Sequence, residues 1–275
     1  MSFRKSSSDS APRAAEVESA GLRWLSQARA VGGAAVVEVL DVEEGLLTLE
    51  EVSTGVPSRE AAEAFGTALA HTHRSLPAGT PFGALAPDHP PGVPPVFGPA
   101  DQLLVMGSGT HSTWGAFHAE QRLDPLLALV ADAGATDLGE AERHLLFGAR
   151  ERIASGAFDD QESPSLIHGD LWSGNVLWRG ATGGGGGDGA TREGVLIDPA
   201  AHAGHRESDL AMMLLFGMPH LQEMLHAYEW AAPLRDGWRA RVPVHQLFYL
   251  LGHWVLFGPA YANATLRACD EILAR

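Results

Sequence analysis

Lysine is almost missing from this chain. Among 275 residues there is one, Lys5, against eighteen arginines. A composition so skewed makes arginine the default cation, so Lys5 carries weight only if a pattern gives it a partner. Cysteine is equally scarce. The single Cys269 excludes an internal disulfide and any C-x-x-C zinc or redox spacing, and it points to a reducing cytoplasm. Long apolar runs are absent too. The most apolar stretch, 247–257, contains His253 and is shorter than the roughly 20 residues that span a bilayer. Residues 1–10 are polar and lack the apolar core of a signal peptide. Positive charge is in deficit, with 19 Lys and Arg against 34 Asp and Glu, a formal net charge of −15. That balance excludes an extended nucleic-acid or anionic-membrane surface, though not a local cationic pocket. The expectation is a soluble cytoplasmic protein with no nucleic-acid or membrane partner.

What is present describes an ordinary folded chain. Hydrophobic residues make 45% and charged residues 19%, and the length suits one large domain or two small ones. Helical spacing predicts a helix over 11–29, with Asp9 or Ser10 as its cap and Gly32-Gly33 as its end. Strand patterns follow at 35–40 and 46–52, separated by an acidic turn at 41–45. Further helices are expected over 58–74, 112–132 and 139–155. The eight prolines of 75–100 predict an extended loop between the first two. Short strands at 165–168, 175–178 and 194–198 precede a helical remainder, with breaks near Pro219, Pro233 and Pro243. The glycine run 183–187 joins two strands and opens no helix, so it reads as a hairpin tip rather than a phosphate cradle. The Gly107-Ser108-Gly109 triplet fails for want of a preceding strand.

The stretch that carries chemistry is His168-Gly-Asp170-Leu-Trp172-Ser-Gly-Asn175, followed by a strand ending in Asp198. A lone H-x-D is common in turns, and an Asx-turn with a strand-end cap would be its structural explanation. The full H-x-D-x-x-x-x-N string with a second acid about twenty residues on is far more specific. Phosphoryl transfer from ATP needs these parts. One Asp accepts the hydroxyl proton, an Asn on the same loop holds metal, and a second Asp bridges metal to the phosphates.

These residues resemble the kinase-like aminoglycoside phosphotransferases. The Trp172 after H-G-D-L and the string from Asp198 through His205-Arg206-Glu207-Ser208-Asp209 to Met212 resemble the fructosamine (ketosamine-3-) kinase family more closely. The 117–123 segment, F-x-x-E-Q-R-L, matches as well. The resemblance implies an α+β, two-lobed protein-kinase-like fold. Residues 1–53 would form a small, truncated nucleotide-binding β lobe, and 54–275 a larger, mainly helical catalytic lobe. It implies ATP and Mg2+ as cofactors, and as partner a small ketosamine or a glycated protein lysine. Asp170 would be the catalytic base, Asn175 and Asp198 the magnesium ligands, and Trp172 a substrate contact. His205 and Arg206 would face substrate or pair with Glu207, and His168 with Asp209 would brace the loop. The segment 46–52 would be the hinge strand, putting Glu50 and Val52 at the nucleotide.

The front departs from the family pattern. The glycine-rich loop that should precede the ATP lysine is missing, and 2–5 looks like the lysine strand itself. The one lysine of the chain therefore falls where the ATP lysine belongs. Its partner would be Glu18, with Glu16 as the alternative. Either sequence upstream of Met1 supplies the loop or the chain lacks it. Two other readings remain: a kinase of an aminoglycoside or amino alcohol, and a pseudokinase without a phosphate loop. His71, His73 and His253 are expected to be ordinary packed or surface groups.

Overall fold

A computed structural model describes residues 2–8, 11–132, 138–180 and 193–275. Asp9 and Ser10, expected as helix caps, and the glycine run 183–187 lie outside the described residues. Strand β1 (Ser2–Ser6) and helix α1 (Ala14–Gln27) lead to β2 (Ala35–Val36), β3 (Val39–Glu43) and β4 (Leu46–Glu50). Strands β1 and β3 flank β4 in an antiparallel sheet, with Lys5 opposite Leu47. Ser7 caps α1 from outside the helix, its Oγ accepting from Ala15 N at 2.9 Å. Ala15 and Leu22 of α1 bury against Leu47 and Leu49 of β4, which fixes the helix beneath the sheet.

The strand expected over 35–40 is in fact two. β2 leaves the front sheet, and β3 extends through Asp41–Glu43, so the tight turn shrinks to Glu44-Gly45, with Gly45 at φ 71°. Charged residues can stay in strand here because both Asp41 and Glu43 point to solvent.

The chain continues through α2 (Arg59–His73), β5 (Val96–Phe97), β6 (Leu104–Val105), α3 (Trp114–His118), a π turn (Ala119–Leu123) and α4 (Asp124–Asp132). Next come α5 (Glu140–Ala154), β7 (Ser165–Ile167), β8 (Val176–Arg179), β9 (Glu193–Leu196) and β10 (His202–Gly204). The helices α6 (Arg206–Phe216), α7 (Leu221–Ala231), α8 (Trp238–Phe257) and α9 (Ala262–Leu273) close the fold. The expected break at Pro243 does not occur, since α8 runs through it. A proline close to a helix start forfeits one backbone bond, and the apolar face of α8 outweighs that. No helix among the described residues is long and apolar enough to cross a membrane.

Two pairings position the site. β9 lies between β8, antiparallel, and β2, parallel, and buried Val195 on β9 packs within the α1–β4 cluster. β10 pairs with β7, His202 opposite Ile167. His202 is buried and its Nδ1 donates to Ala200 O at 2.8 Å. Burial, reinforced by the Arg122 guanidinium, drives its pKa down to about 3. The folded state thus excludes a proton that the unfolded chain takes up below about pH 6.5, so stability falls as pH drops. His202 alone is expected to cost about 2 kcal/mol between pH 6.5 and 5. Denaturant midpoints at the two pH values should show a smaller difference in His202→Asn than in the parent.

Candidate active site

Strand β7 delivers His168, Gly169 and Asp170 from the core into a cleft. The loop is clamped from behind by Asp209 of α6, which is fully buried. Its Oδ2 accepts from His168 N at 2.8 Å and its Oδ1 from Gly169 N at 2.9 Å. His73 of α2 lies 3.0 Å from the same carboxylate, and its other ring nitrogen meets Tyr228 OH at 2.7 Å. Burial alone would raise the Asp209 pKa, but His73 and the backbone donors outweigh it and hold the carboxyl below its ordinary value. His73 is therefore not an incidental histidine. His168 is buried too, which lowers its pKa and keeps it neutral. Its Nδ1 accepts from Asp170 N and its Nε2 donates to Ile197 O at 2.8 Å.

Gly169 holds φ 81°, and a Cβ there would stand 2.3 Å from Ala200 O. Backbone cannot yield that distance, so Gly169→Ala must push Asp170 out of place. A displacement of about 1 Å is expected to lower kcat roughly 100-fold, measurable by steady-state turnover at unchanged protein concentration.

Asn175 donates from Nδ2 to Asp170 O at 2.8 Å and to Asp170 Oδ2 at 3.0 Å. That leaves its Oδ1 as an acceptor in the cleft wall. Burial, with Asp198 and Asp209 adding repulsion, pushes the Asp170 carboxyl up to about 7 against the Asn175 bond. Asp198 follows β9 in the left-handed region at φ 52°. Lys5 Nζ bridges Glu18 Oε2 at 2.8 Å and Asp198 Oδ1 at 3.1 Å. Burial works against the Lys5 charge, but Glu18 and Asp198 outweigh it and raise its pKa. Burial also pushes Glu18 up to about 7 despite Lys5, and its buried Oε1 has no hydrogen-bond partner among the described residues. Glu16, the alternative partner, instead binds Arg13 at the surface.

These side chains share one cleft of about 360 Å3. Trp172 stands at its edge, 41% exposed, with its indole over Gly174, where a Cβ would lie 2.4 Å from the ring. Asn175, Asp198 and Glu18, whose Oε1 has no partner among the described residues, all line this cleft, and hard oxygen donors of this kind suit Mg2+. Residues 2–275 match the family model described as fructosamine kinase. The chain belongs to the fructosamine kinase family.

Its relatives agree in sequence and in fold. An Enterococcus faecium protein named "Probable ketoamine kinase" is 35% identical over 162 residues, 58% of this chain and 53% of its own length. The chain thus spans about half of that relative. A solved structure from Thermobifida fusca, named for fructosamine-3-kinase, is 36% identical over 100% of this chain and 86% of that one, with a TM-score of 0.81. The streptomycin–ATP complex of APH(2")-IIa, at 13% identity, covers 100% of this chain and 85% of its own, with a TM-score of 0.60. That likeness shows the shared protein-kinase-like fold.

Within this fructosamine kinase fold, several residues expected at the site stand elsewhere. His205 and Arg206 do not face the cleft. His205 is buried with its Nε2 3.1 Å from Asp160, and its Nδ1 accepts from Glu207 N. Arg206 binds Glu162 and the carbonyl oxygens of Ala232 and Pro233. The Glu207 carboxylate turns instead to Arg241 and His245, and its backbone amide reaches His205. The whole string is a clasp that ties α6 to the 160–162 segment and to α8. These ion pairs also occupy the two groups of metal-ligand type, His205–Glu207–His245 and Asp160–Glu162–His205. Glu50 is turned to Arg179 at 2.8 Å, and Val52 packs at the edge of the front core, so neither lines the described cleft. Conversely, His253 and Phe257 of α8 do line it. Their signal was weak, since a histidine and a phenylalanine at helical spacing look like packing.

Proposed function

We propose that this chain is an ATP- and Mg2+-dependent kinase that phosphorylates the sugar 3-hydroxyl of ketosamines, meaning fructosamines or ribulosamines on small amines or on protein lysines. The carrying observation is the convergence of Asp170, Asn175, Asp198 and the Lys5–Glu18 pair in one cleft. The names of the relatives, ketoamine kinase and fructosamine-3-kinase, support the substrate class.

Lys5 is placed to meet the ATP phosphates, held in aim by Glu18 as a compact ammonium that a guanidinium would not replace. Asn175 Oδ1 and Asp198 are the residues that would hold magnesium. The ion, when bound, neutralises charge on the phosphates and lowers the cost of moving it to the leaving group. Asp170 orients the sugar hydroxyl and takes its proton while the new O–P bond forms and the bond to the leaving ADP breaks. The Asn175 amide fixes the rotamer of Asp170, so one oxygen stays directed at the acceptor. Trp172 offers its indole face to the apolar face of the sugar. A phosphate on C3 is a leaving group beside the C2 carbonyl, and enolisation toward C1 lets it depart as inorganic phosphate. Water then hydrolyses the C1 imine, which frees the amine unmodified and leaves a 3-deoxy-dicarbonyl sugar. The work is done in a reducing cytoplasm, where the buried Cys269 stays a thiol.

Trp172→Ala is expected to lower kcat/KM for a ketosamine roughly 10- to 100-fold, the range for losing one well-packed apolar contact, while slow ATP hydrolysis is unchanged. Equal loss of both rates, followed in parallel assays, would make Trp172 a structural residue instead. The finer claim is tested by NMR on the product of fructose-lysine. Phosphorus coupled to the C3 proton, followed by release of free lysine, supports it. Phosphate on another hydroxyl contradicts it.

A further inference from the structure

The part of the cleft away from the carboxylates is lined mostly by carbon, and His253 of α8 is the titratable side chain there, its Nδ1 donating to Tyr249 O at 2.8 Å. The loop between β5 and β6 brings in Pro99 and Leu103, and α8 brings in Leu256 and Phe257. The two walls touch, since a Cβ on Gly98 would lie 3.2 Å from Leu256 Cδ1. Phe97 and Met212 form the floor and are buried, whereas Phe257 leaves 54% of its surface in water. An exposed aromatic at the mouth of a cleft with an apolar floor is a surface awaiting a ligand. Among the described residues, the Lys, Asp and Glu side chains lining the cleft all belong to the other part: Lys5, Glu18, Asp170 and Asp198. The only cation among them, Lys5, is already shared by Glu18 and Asp198.

We propose that this apolar shelf receives the substituent on the ketosamine nitrogen and selects uncharged aliphatic or aromatic groups over charged ones. The inference rests on the ketosamine kinase reading above. In a ketosamine the nitrogen is on C1, two carbons from the C3 hydroxyl. With that hydroxyl at Asp170, whatever the nitrogen carries is directed along the cleft. A carboxylate there meets three acidic side chains and, among the described residues, no unpaired cation, because burial lowers the His253 pKa and its Nδ1 is spent on Tyr249 O. It also loses water against carbon. An alkyl chain instead removes the Phe257 and Leu103 surfaces from water.

The test compares kcat/KM for the fructose adducts of hexylamine and glycine, with Mg2+–ATP, in the parent and in Phe257→Lys. Phe257 is exposed, so its replacement leaves the core intact. The hexylamine adduct is expected to be preferred at least tenfold in the parent, and Phe257→Lys should bring the ratio close to one by supplying a cation for the glycine carboxylate. Equal values for both adducts, or preference for glycine, in the parent would overturn the shelf while leaving the kinase reading in place. A preference that survives Phe257→Lys unchanged would also overturn it. If neither adduct is phosphorylated, the ketosamine reading itself fails, and the shelf with it.

Discussion

Replacing Asp170 by alanine is expected to lower phosphoryl transfer by about 10^2- to 10^4-fold, the usual contribution of a positioned general base. The carboxylate lines the cleft, where Asn175 holds its Oδ2 at 3.0 Å. The backbone would survive the change, because His168 and Gly169 remain fixed by Asp209 rather than by the Asp170 side chain. Nucleotide binding should therefore persist, as Lys5, Glu18 and Asp198 are untouched. Asp170→Asn tests the same point more finely. It keeps the shape, removes the basic oxygen, and should lose nearly as much turnover. Full turnover in either variant, with magnesium–ATP binding measured by calorimetry as a control, would remove Asp170 from the mechanism.

Asp209→Ala is expected to damage stability and activity together. Truncation strands two backbone amides and the His73 ring in a fully buried site. Unsatisfied buried groups cost about 1–3 kcal/mol each, and breaking a buried charged contact costs about 3–5 kcal/mol. A loss of that size is comparable with the total stability of many domains, about 5–15 kcal/mol. The variant should unfold at markedly lower denaturant, and whatever stays folded should turn over slowly because the 168–170 backbone is no longer held. Asp209→Asn offers one oxygen and one amide in place of two oxygens, so one of the two loop amides faces a donor. It should be more stable than the alanine variant yet still slow. Parent-like denaturation and turnover in Asp209→Ala would show that β7 and β10 alone hold the loop.

The legibility of this site in the sequence follows the range of its interactions. The H-x-D-x-x-x-x-N string could be read because its geometry is local: Asn175 reaches Asp170 across five residues. Lys5 could be singled out because the one lysine of the chain falls where the resembled family has its ATP lysine, while its two partners lie 13 and 193 positions away. The substrate-facing reading of His205 and Arg206 failed for the opposite reason. Nothing local says that His205 and Arg206 turn inward, since Asp160 and Glu162 lie over 40 residues upstream. From sequence, His73 reads as an ordinary packed or surface group for the same reason, its partner Asp209 being 136 residues off. In the fold, helices were readable from their periodicity. The parallel β2–β9 contact was not, because two-residue strands carry no pattern. Pro243 was overvalued as a breaker because its position near the start of α8 depends on where Gly237 begins that helix.

The central claim is that this chain moves phosphate from ATP to a ketosamine through Asp170. The most direct measurement is mass spectrometry of fructose-lysine and ribulose-lysine after incubation with the purified chain, ATP and magnesium, beside Asp170→Ala. The account predicts a phosphorylated ketosamine in the parent reaction and none above background in the variant. Equal product in both, or no product from either substrate while the parent binds magnesium–ATP, would contradict it.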